Sequence, residues 1–261
     1  MRRLPVAAFA ALVVATVAAF FVTQHLKVTT PLINGAPAPS PSTISPRETG
    51  CHGADRRMMI SFYLQHRADD VDVYVVDRSG AIGATLASGR HMRAGVRKPD
   101  GVFFWSGRQD TGSFAPDGTY HVRVDLIHQG RSEEISGAAG PKPVTVKTVP
   151  PHPVVTSVEP QLIPHGAGPV QIHYVGNESR GGTVRIYRTD PRRPPRLVKS
   201  FPTPWKGQTA SWDGRIGPRP APAGTYLLGL DVTDKACNTG HFPPRIPPPP
   251  GSTARATVTV G

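Results

Sequence analysis

The sequence has little that points to catalysis. It contains no Gly-x-Ser-x-Gly motif, no glycine-rich phosphate-binding loop, and no pair of histidines or cysteines at the spacing of a zinc site. Its ten histidines are scattered along the chain. We therefore assign no catalytic residue, no metal ligand and no cofactor, and we predict that the protein is not an enzyme.

Two groups of loop residues carry the oxygen atoms that calcium prefers, but neither has the number or spacing of a recognised site. We expect both to be solvated loop residues rather than ligands. The two groups are Asp69, Asp70 and Asp72, and Asp231, Asp234 and Asn238.

Acidic residues are scarce. The 18 Asp and Glu residues stand against 30 Lys and Arg, which gives a net charge of +12. This excess favours attraction to a polyanion, although a general arginine bias of solvated surfaces would produce the same charge. The densest basic cluster is RRPPR, residues 192–196, in a predicted loop. No basic helix and no interleaving of aromatic and basic residues is present, which argues against nucleic acid as a partner.

Amphipathic helical runs are missing beyond the N-terminus. The chain has 30 prolines and 27 glycines, and its valine, threonine and aromatic residues fall in short alternating runs. That composition predicts strands separated by turns. A chain of 261 residues has room for two such domains of about 100 residues each.

The N-terminus is the exception. Arg2 and Arg3 precede residues 4–22, which carry no charge. At a rise of ~1.5 Å per residue this stretch nearly crosses a ~30 Å hydrocarbon core. The arginines favour an N-terminus inside the cell, and no small-x-small site follows directly. We predict a single-pass signal anchor over residues 1–28, with the bulk outside the cytoplasm; secretion after cleavage is the alternative. Residues 29–43, rich in Pro, Ala and Ser, are predicted to be an extended spacer.

One pattern occurs twice. Trp105 precedes Tyr120 by fifteen positions, and Trp212 precedes Tyr226 by fourteen. Each copy reads as a strand ending in Trp-x-Gly, a Gly/Pro-rich loop, and Gly-Thr-Tyr opening an alternating strand. Such a recurrence indicates a duplicated domain. We predict two antiparallel β-sandwiches of the immunoglobulin or fibronectin III kind, over residues 44–149 and 150–261. In the alignment of the two copies, residues 44–46 of the first correspond to residues 158–160 of the second.

Each repeated residue has a predicted structural role. Tyr120 and Tyr226 stand where sandwiches place a tyrosine corner, with the ring packed inward and the hydroxyl bonded to nearby backbone. Gly118 and Gly224, which precede them, are expected to supply a turn with positive φ. We expect the two tryptophans to pack into the edge of the core. An exposed pair could instead form a ligand platform.

The motif residues resemble a known family. Trp212-Asp213-Gly214 and Pro116-Asp117-Gly118-Thr119-Tyr120 are similar to the Ig-like domain of flagellar hook-capping (FlgD-type) proteins, whose relatives occur as tandem modules in exported bacterial proteins. Each copy departs once: Ser106 stands between Trp105 and Gly107 in place of Asp, and Ala223 stands in place of the Asp of the second copy. The resemblance implies a fold and not a flagellar role.

Two cysteines remain, Cys51 and Cys237. An even count outside the cytoplasm suggests a disulfide. The predicted topology places both in loops at the junction of the two sandwiches, so we predict an interdomain bond. The closed loop, from residue 51 to residue 237, spans 186 residues. In the chain-entropy treatment such a bond contributes about 4–5 kcal/mol, less any strain.

These expectations favour a membrane-anchored extracytoplasmic module that binds or spaces components of a bacterial cell envelope, without catalysis. Its expected partner is an envelope protein or an anionic cell-wall polymer. One alternative is an accessory Ig-like region for an envelope enzyme whose catalytic domain lies on another chain. Another is a protein that binds carbohydrate or a small ligand through loops near Trp105 or Trp212, which requires those tryptophans to be exposed.

Overall fold

The chain is described by a computed structural model that covers residues 3–29, 31–34, 39–47, 57–137, 140–164, 168–176, 181–204 and 207–261. Within these residues there is one α-helix, α1, which runs over Arg3–Thr29. Within α1, Ala7–His25 is long and apolar enough to cross a membrane, and this window is not buried against the rest of the chain. By length and composition alone, a signal sequence near the N-terminus has the same properties.

The rest of the described chain consists of strands and connecting loops around two separate hydrophobic cores. The first sandwich contains β1 (Ile33–Asn34), β2 (Thr43–Ile44), β3 (Met58–Ser61), β4 (Tyr63–Leu64), β5 (Asp69–Asp77), β6 (Ile82–Met92), β7 (Val102–Trp105), β8 (Gly118–Leu126), β9 (Arg131–Glu134), β10 (Ser136–Gly137), β11 (Gly140–Pro141) and β12 (Val144–Val146). The second contains β13 (Val154–Glu159), β14 (Leu162–Ile163), β15 (Val170–Val175), β16 (Gly182–Arg188), β17 (Arg196–Pro202), β18 (Thr209–Trp212), β19 (Arg215–Ile216), β20 (Arg219–Pro220), β21 (Gly224–Thr233), β22 (Thr239–Phe242), the 3-10 turn η1 (Ala254–Ala256) and β23 (Thr257–Val260).

Each sandwich has the same two layers. In the first, the larger sheet has the order β2-β12-β8-β5-β6, with β9 also on β8, and it faces the β3–β7 and β1–β4 pairs. In the second, the larger sheet has the order β14-β23-β21-β16-β17, with β22 also on β21, and it faces β13-β15-β18. The predicted fold class, all-β with two tandem Ig-like sandwiches after one N-terminal helix, is confirmed.

The cores arise from strict alternation along the central strands. In β8 the side chains of Tyr120, Val122, Val124 and Leu126 are buried, while the residues between them are half-buried. This period of two places one face of the strand on the core. Each fully buried aliphatic side chain contributes about 1.5–3 kcal/mol relative to an exposed one. The strand β21 of the second sandwich has the same buried face and adds Leu227 to the apolar side chains.

The first sandwich begins earlier than the sequence predicts. Leu32 and Ile33 belong to its core, and Ile33 pairs with Leu64. Glu133 fixes this segment, because its Oε2 accepts hydrogen bonds from the Leu32 and Ile33 amides at 2.7 and 3.3 Å. The predicted spacer, residues 29–43, is therefore partly a strand of the sandwich. Its proline content concealed an edge strand of only two residues, β1.

The predicted match between residues 44–46 and 158–160 is also wrong, because the first sandwich begins before residue 44. Ile44 pairs in parallel with β12, and its carbonyl accepts Lys147 N at 3.0 Å. The residue with this role in the second sandwich is Ile163, which pairs in parallel with β23 and accepts Gly261 N at 3.0 Å. Val158 lies instead in β13, the counterpart of the segment that begins at Leu32.

Candidate functional site

The two tryptophans have the same environment in both sandwiches. Trp105 is 2% exposed and donates its Nε1–H to the Arg108 carbonyl at 2.8 Å. Trp212 is fully buried and donates to the Arg215 carbonyl at 2.9 Å. In each case the acceptor lies three residues on, so the indole closes the loop that follows its own strand. Neither tryptophan offers the exposed ring that a ligand platform requires.

The two tyrosines complete this arrangement. Tyr120 donates its hydroxyl to the Pro116 carbonyl at 2.8 Å, and Tyr226 donates to the Pro222 carbonyl at 2.6 Å. Their rings lie 5.3 and 5.5 Å from the tryptophan rings of the same sandwich. Burial raises the pKa of both tyrosines above the ordinary value, which keeps the hydroxyls protonated as donors. The repeated motif therefore forms a tyrosine corner packed against a tryptophan in each sandwich.

The glycine with positive φ is not always the predicted one. Gly118 lies at the start of β8 without a positive φ, so that expectation is wrong, whereas Gly224 has φ 149°. The left-handed turn common to both copies belongs to the glycine of Trp-x-Gly, at Gly107 (φ 78°) and Gly214 (φ 71°). Each of these glycines lies between the tryptophan and the carbonyl that its indole bonds, in a conformation that glycine adopts without steric cost.

Asp117 connects the first corner to the chain that leaves the sandwich. Its carboxylate accepts the Thr148 amide at 2.9 Å and the Thr148 hydroxyl at 2.7 Å. Partial burial opposes its ionisation, but hydrogen bonds from Thr148 and Val149 outweigh that effect and hold the pKa of Asp117 below its ordinary value. Ala223 stands in the equivalent position of the second sandwich, where Arg188 donates to the Ala223 carbonyl instead.

Asp213 has a different partner, on the face of the second sandwich. Its Oδ1 accepts Lys199 Nζ at 2.6 Å and the Arg215 amide at 3.0 Å. Burial opposes ionisation here too, and the hydrogen bonds from Lys199 and Arg215 hold the pKa of Asp213 below its ordinary value. Each copy of the motif therefore has one aspartate, and its carboxylate makes contacts within the protein. Ser106, at the position of Asp213 in the first copy, has no carboxylate to make them.

The junction between the sandwiches is held by polar contacts that the sequence did not reveal. Lys147, just after β12, pairs its Nζ with the Asp234 carboxylate at 3.0 Å. The Lys147 carbonyl accepts Asn238 Nδ2 at 2.9 Å. Asp234 and Asn238 are each 1% exposed, and Asp234 Oδ1 also accepts the Ala236 and Asn238 amides. This carboxylate organises the β21–β22 turn and holds the first sandwich to it.

Two glycines let the linker lie against the second sandwich. A side chain on Gly240 would collide with the Pro151 carbonyl oxygen. One on Gly176 would come within 2.5 Å of the His152 carbonyl oxygen. The backbone of the predicted junction, residues 150–153, is therefore packed between β22 and the end of β15. The contacts of Lys147 and Thr148 on one side and of these glycines on the other predict a stiff connection.

Cys237 lies in this same turn, buried and with φ 73°. It is not a free thiol. Cys51 lies outside the described residues, so the Cys51–Cys237 bond stays a prediction. Peptide mapping of the purified protein without reductant should recover one peptide that joins the two cysteines and disappears on reduction. Recovery of both cysteines as alkylated free thiols would contradict it.

The prediction that the two candidate calcium groups are solvated loop residues is wrong. The first group lies in β5 and Asp231 lies in β21, while Asp234 and Asn238 are buried, and internal contacts occupy both groups. Asp69, 2% exposed, accepts His128 N and Nδ1, both at 2.9 Å. Asp72 accepts the Gly89 amide, and Asp231 pairs with Arg185 at 2.5 Å. Among the described residues, no group of three or more His, Cys, Asp or Glu side chains is arranged to hold a metal ion.

Comparison with known proteins gives limited similarity. No protein-family model matches the chain. The chain is 27% identical over 107 residues to the basal-body rod modification protein FlgD of Salmonella typhimurium (strain LT2), and equally to that of Salmonella typhi. The match covers 41% of this chain and 44% of each relative, so the chain spans less than half the length of the curated relatives it matches. This similarity agrees with an Ig-like domain.

Among solved structures, a chimeric titin Z1Z2 carrying a decorin peptide has a TM-score of 0.35 at 11% identity, over 89% of this chain and 97% of that one. Dimeric latent PorU from Porphyromonas gingivalis has a TM-score of 0.26 at 13% identity, over 87% of this chain and 20% of that one. The fold assignment rests on strand order and the two cores, not on these low scores. The strand order and the two cores define the class: a tandem Ig-like β-sandwich protein with one N-terminal apolar helix in the described part of the chain.

Proposed function

We propose that this protein is a membrane-anchored extracytoplasmic module of a bacterial cell envelope that binds or spaces other envelope components without catalysis. The observation that carries the proposal is the short connection between the apolar helix and the first sandwich. The helix ends at Thr29, and Leu32 already lies in the sandwich core. Such a connection suits a tether that holds a folded module close to a membrane surface.

The stiff junction supports the spacing role. Central strands such as Asp69–Asp77 and Gly118–Leu126 are nine residues long. At ~3.3 Å per residue, each sandwich is about 30 Å along its strands, and two in series extend about 60 Å. The contacts of Lys147 with Asp234 and Asn238 would keep the second sandwich at a set position relative to the first. The module then presents one end far from the tether.

The buried tryptophans do not support the carbohydrate-platform alternative. A binding experiment also tests the accessory role, because that role predicts a catalytic chain among the bound proteins. We expect the partner of the module to be an envelope protein or an anionic wall polymer. Edge strands and end loops would provide its contact surfaces.

The test is a pull-down with the full chain in detergent, against solubilised envelope and isolated wall polymer at low, physiological and high salt. A discrete envelope protein retained at high salt, or polymer retained at physiological salt, is the expected result. Bound proteins would be identified by mass spectrometry. Retention of neither under any condition would contradict an interaction role. A catalytic chain retained in constant proportion would establish the accessory role instead.

A further inference from the structure

A cavity of about 520 Å³ opens at one end of the second sandwich, beside the β16–β17 loop. Of the six described residues that line it, three are arginines and one is an aspartate, which gives these residues a net charge of +2. The lining consists of Arg188, Asp190, Arg193, Pro194, Pro195 and Arg196. The cavity therefore concentrates positive charge at one place on an already basic protein.

The duplication provides an internal comparison for this cavity. In the first sandwich four residues connect β5 to β6, and the Asp77 carboxylate closes that turn by accepting the Ser79 and Ala81 amides. In the second, seven residues connect β16 to β17. The three additional residues are part of the loop that lines the cavity. The first sandwich has a tight turn at the same place.

The charge at the base of this loop is also inverted between the two copies. Asp77 is the cross-strand partner of Tyr120 in the first sandwich. Arg188 is the cross-strand partner of Tyr226 in the second. One copy thus places a carboxylate beside its corner tyrosine, where the other places a guanidinium that points to the cavity. A general surface bias toward arginine does not account for this combined change in loop length and charge.

The guanidinium groups of the three arginines differ in the contacts that they already make within the protein. Arg188 bonds Asp190 Oδ1 at 2.8 Å and the Ala223 carbonyl at 3.2 Å, so its position is set. Arg193 and Arg196 are exposed, and neither forms an ion pair with another residue in the described part of the chain. Pro194 and Pro195 lie between them and restrict the loop backbone. Two available guanidinium groups therefore border a partly preorganised opening.

The cavity lies at the far end of the molecule from the helix. Gly182, at the start of β16, pairs with Val232 beside the junction turn, whereas Arg188 lies six residues further along the strand. That is about 20 Å beyond the junction, in addition to the ~30 Å of the first sandwich. The headgroups of the membrane that holds α1 are therefore out of reach of this site.

We propose that this cavity binds phosphate groups carried on an anionic polymer outside the membrane, a proposal that deepens and rests on the proposed function. Guanidinium groups match the oxygen geometry of phosphate and donate paired, charge-assisted hydrogen bonds to it. A net charge of +2 suits two phosphodiesters or one phosphate dianion. Repeated phosphates on a polymer would let neighbouring groups engage Arg193 and Arg196 together.

The test measures binding of linear polyphosphate, inorganic phosphate and poly-L-glutamate to the full chain in detergent, at fixed physiological ionic strength. The variant is the double substitution Arg193→Ala and Arg196→Ala. The matched control is Arg67→Ala with Arg78→Ala, which removes two exposed arginines from the first sandwich. Equal unfolding midpoints of the two double variants establish that both are folded.

We expect polyphosphate to bind more tightly than poly-L-glutamate, with inorganic phosphate as a weak competitor. The Arg193/Arg196 variant should lose about tenfold or more in affinity, and the Arg67/Arg78 control less than about twofold. Equal losses in both variants would show diffuse attraction and overturn the site. Preference for poly-L-glutamate would overturn the phosphate assignment. If polyphosphate fails while an envelope protein is still retained at high salt, the site is wrong and the interaction role stands.

Discussion

Replacing Trp212 with alanine should destabilise the second sandwich by about 3–5 kcal/mol, the usual loss on truncating a buried aromatic side chain. Trp212 is fully buried, contacts the Tyr226 ring at a centroid distance of 5.5 Å, and closes its loop through the Arg215 carbonyl. The substitution leaves a cavity and removes one of the two hydrogen bonds that the Arg215 carbonyl accepts, since Lys199 Nζ still donates the other at 3.0 Å. Denaturant unfolding should then show the second sandwich unfolding first, as a separate transition.

Two variants control this prediction. Trp212→Phe keeps an aromatic ring in place and should cost less than the alanine variant. Leu162→Ala truncates a side chain of the same sandwich that is 66% exposed, and should change stability by about 0.5 kcal/mol or less. A loss below about 1 kcal/mol for Trp212→Ala would mean that the repeated tryptophan is not a core residue of its corner.

Replacing Gly240 with alanine should detach the linker from the second sandwich. The new Cβ would collide with the Pro151 carbonyl oxygen and lie 2.9 Å from Pro153 Cδ, and the first obstacle is backbone. Overpacking of this kind costs about 1–3 kcal/mol, and the contacts of the linker are the nearest place to relieve it. Limited trypsin digestion should then yield a fragment that begins at Thr148, because Lys147 would no longer be held by its ion pair with Asp234.

The matched control is Gly83→Ala. A Cβ at Gly83 would meet only ordinary contacts, at 3.6 and 3.8 Å, and Gly83 has no positive φ. This variant should resist cleavage after Lys147 as the natural chain does. Digests would be analysed after reduction, so that a disulfide does not mask cleavage. Equal resistance of Gly240→Ala would contradict a junction held by close backbone packing.

The repeated corner could be predicted from sequence because its residues are large, rare and evenly spaced. Trp105 with Tyr120, and Trp212 with Tyr226, mark the two sandwiches without further information. The alternation in β8 and β21 likewise indicates which face is buried. Alternation can be recognised in the sequence because successive side chains of a strand point to opposite faces of the sheet.

The first strand and the junction could not be predicted in the same way. Leu32 and Ile33 are two apolar residues in a proline-rich stretch, and only their pairing with Leu64 and Glu133 makes them a strand. Asp234 looked like a solvated loop acid because its partner, Lys147, is 87 positions away in the chain. The charge change between Asp77 and Arg188 likewise becomes visible only once both are placed opposite a corner tyrosine.

The central claim is that the two sandwiches form one stiff unit that carries the arginine cavity away from the membrane. The most direct test is the distance distribution between spin labels placed at positions 67 and 161, one in each sandwich, on unnatural residues that leave both native cysteines untouched. Pulsed electron spin resonance on the full chain should give one narrow distance population. A broad distribution in the natural chain, like that expected for Gly240→Ala, would contradict the claim.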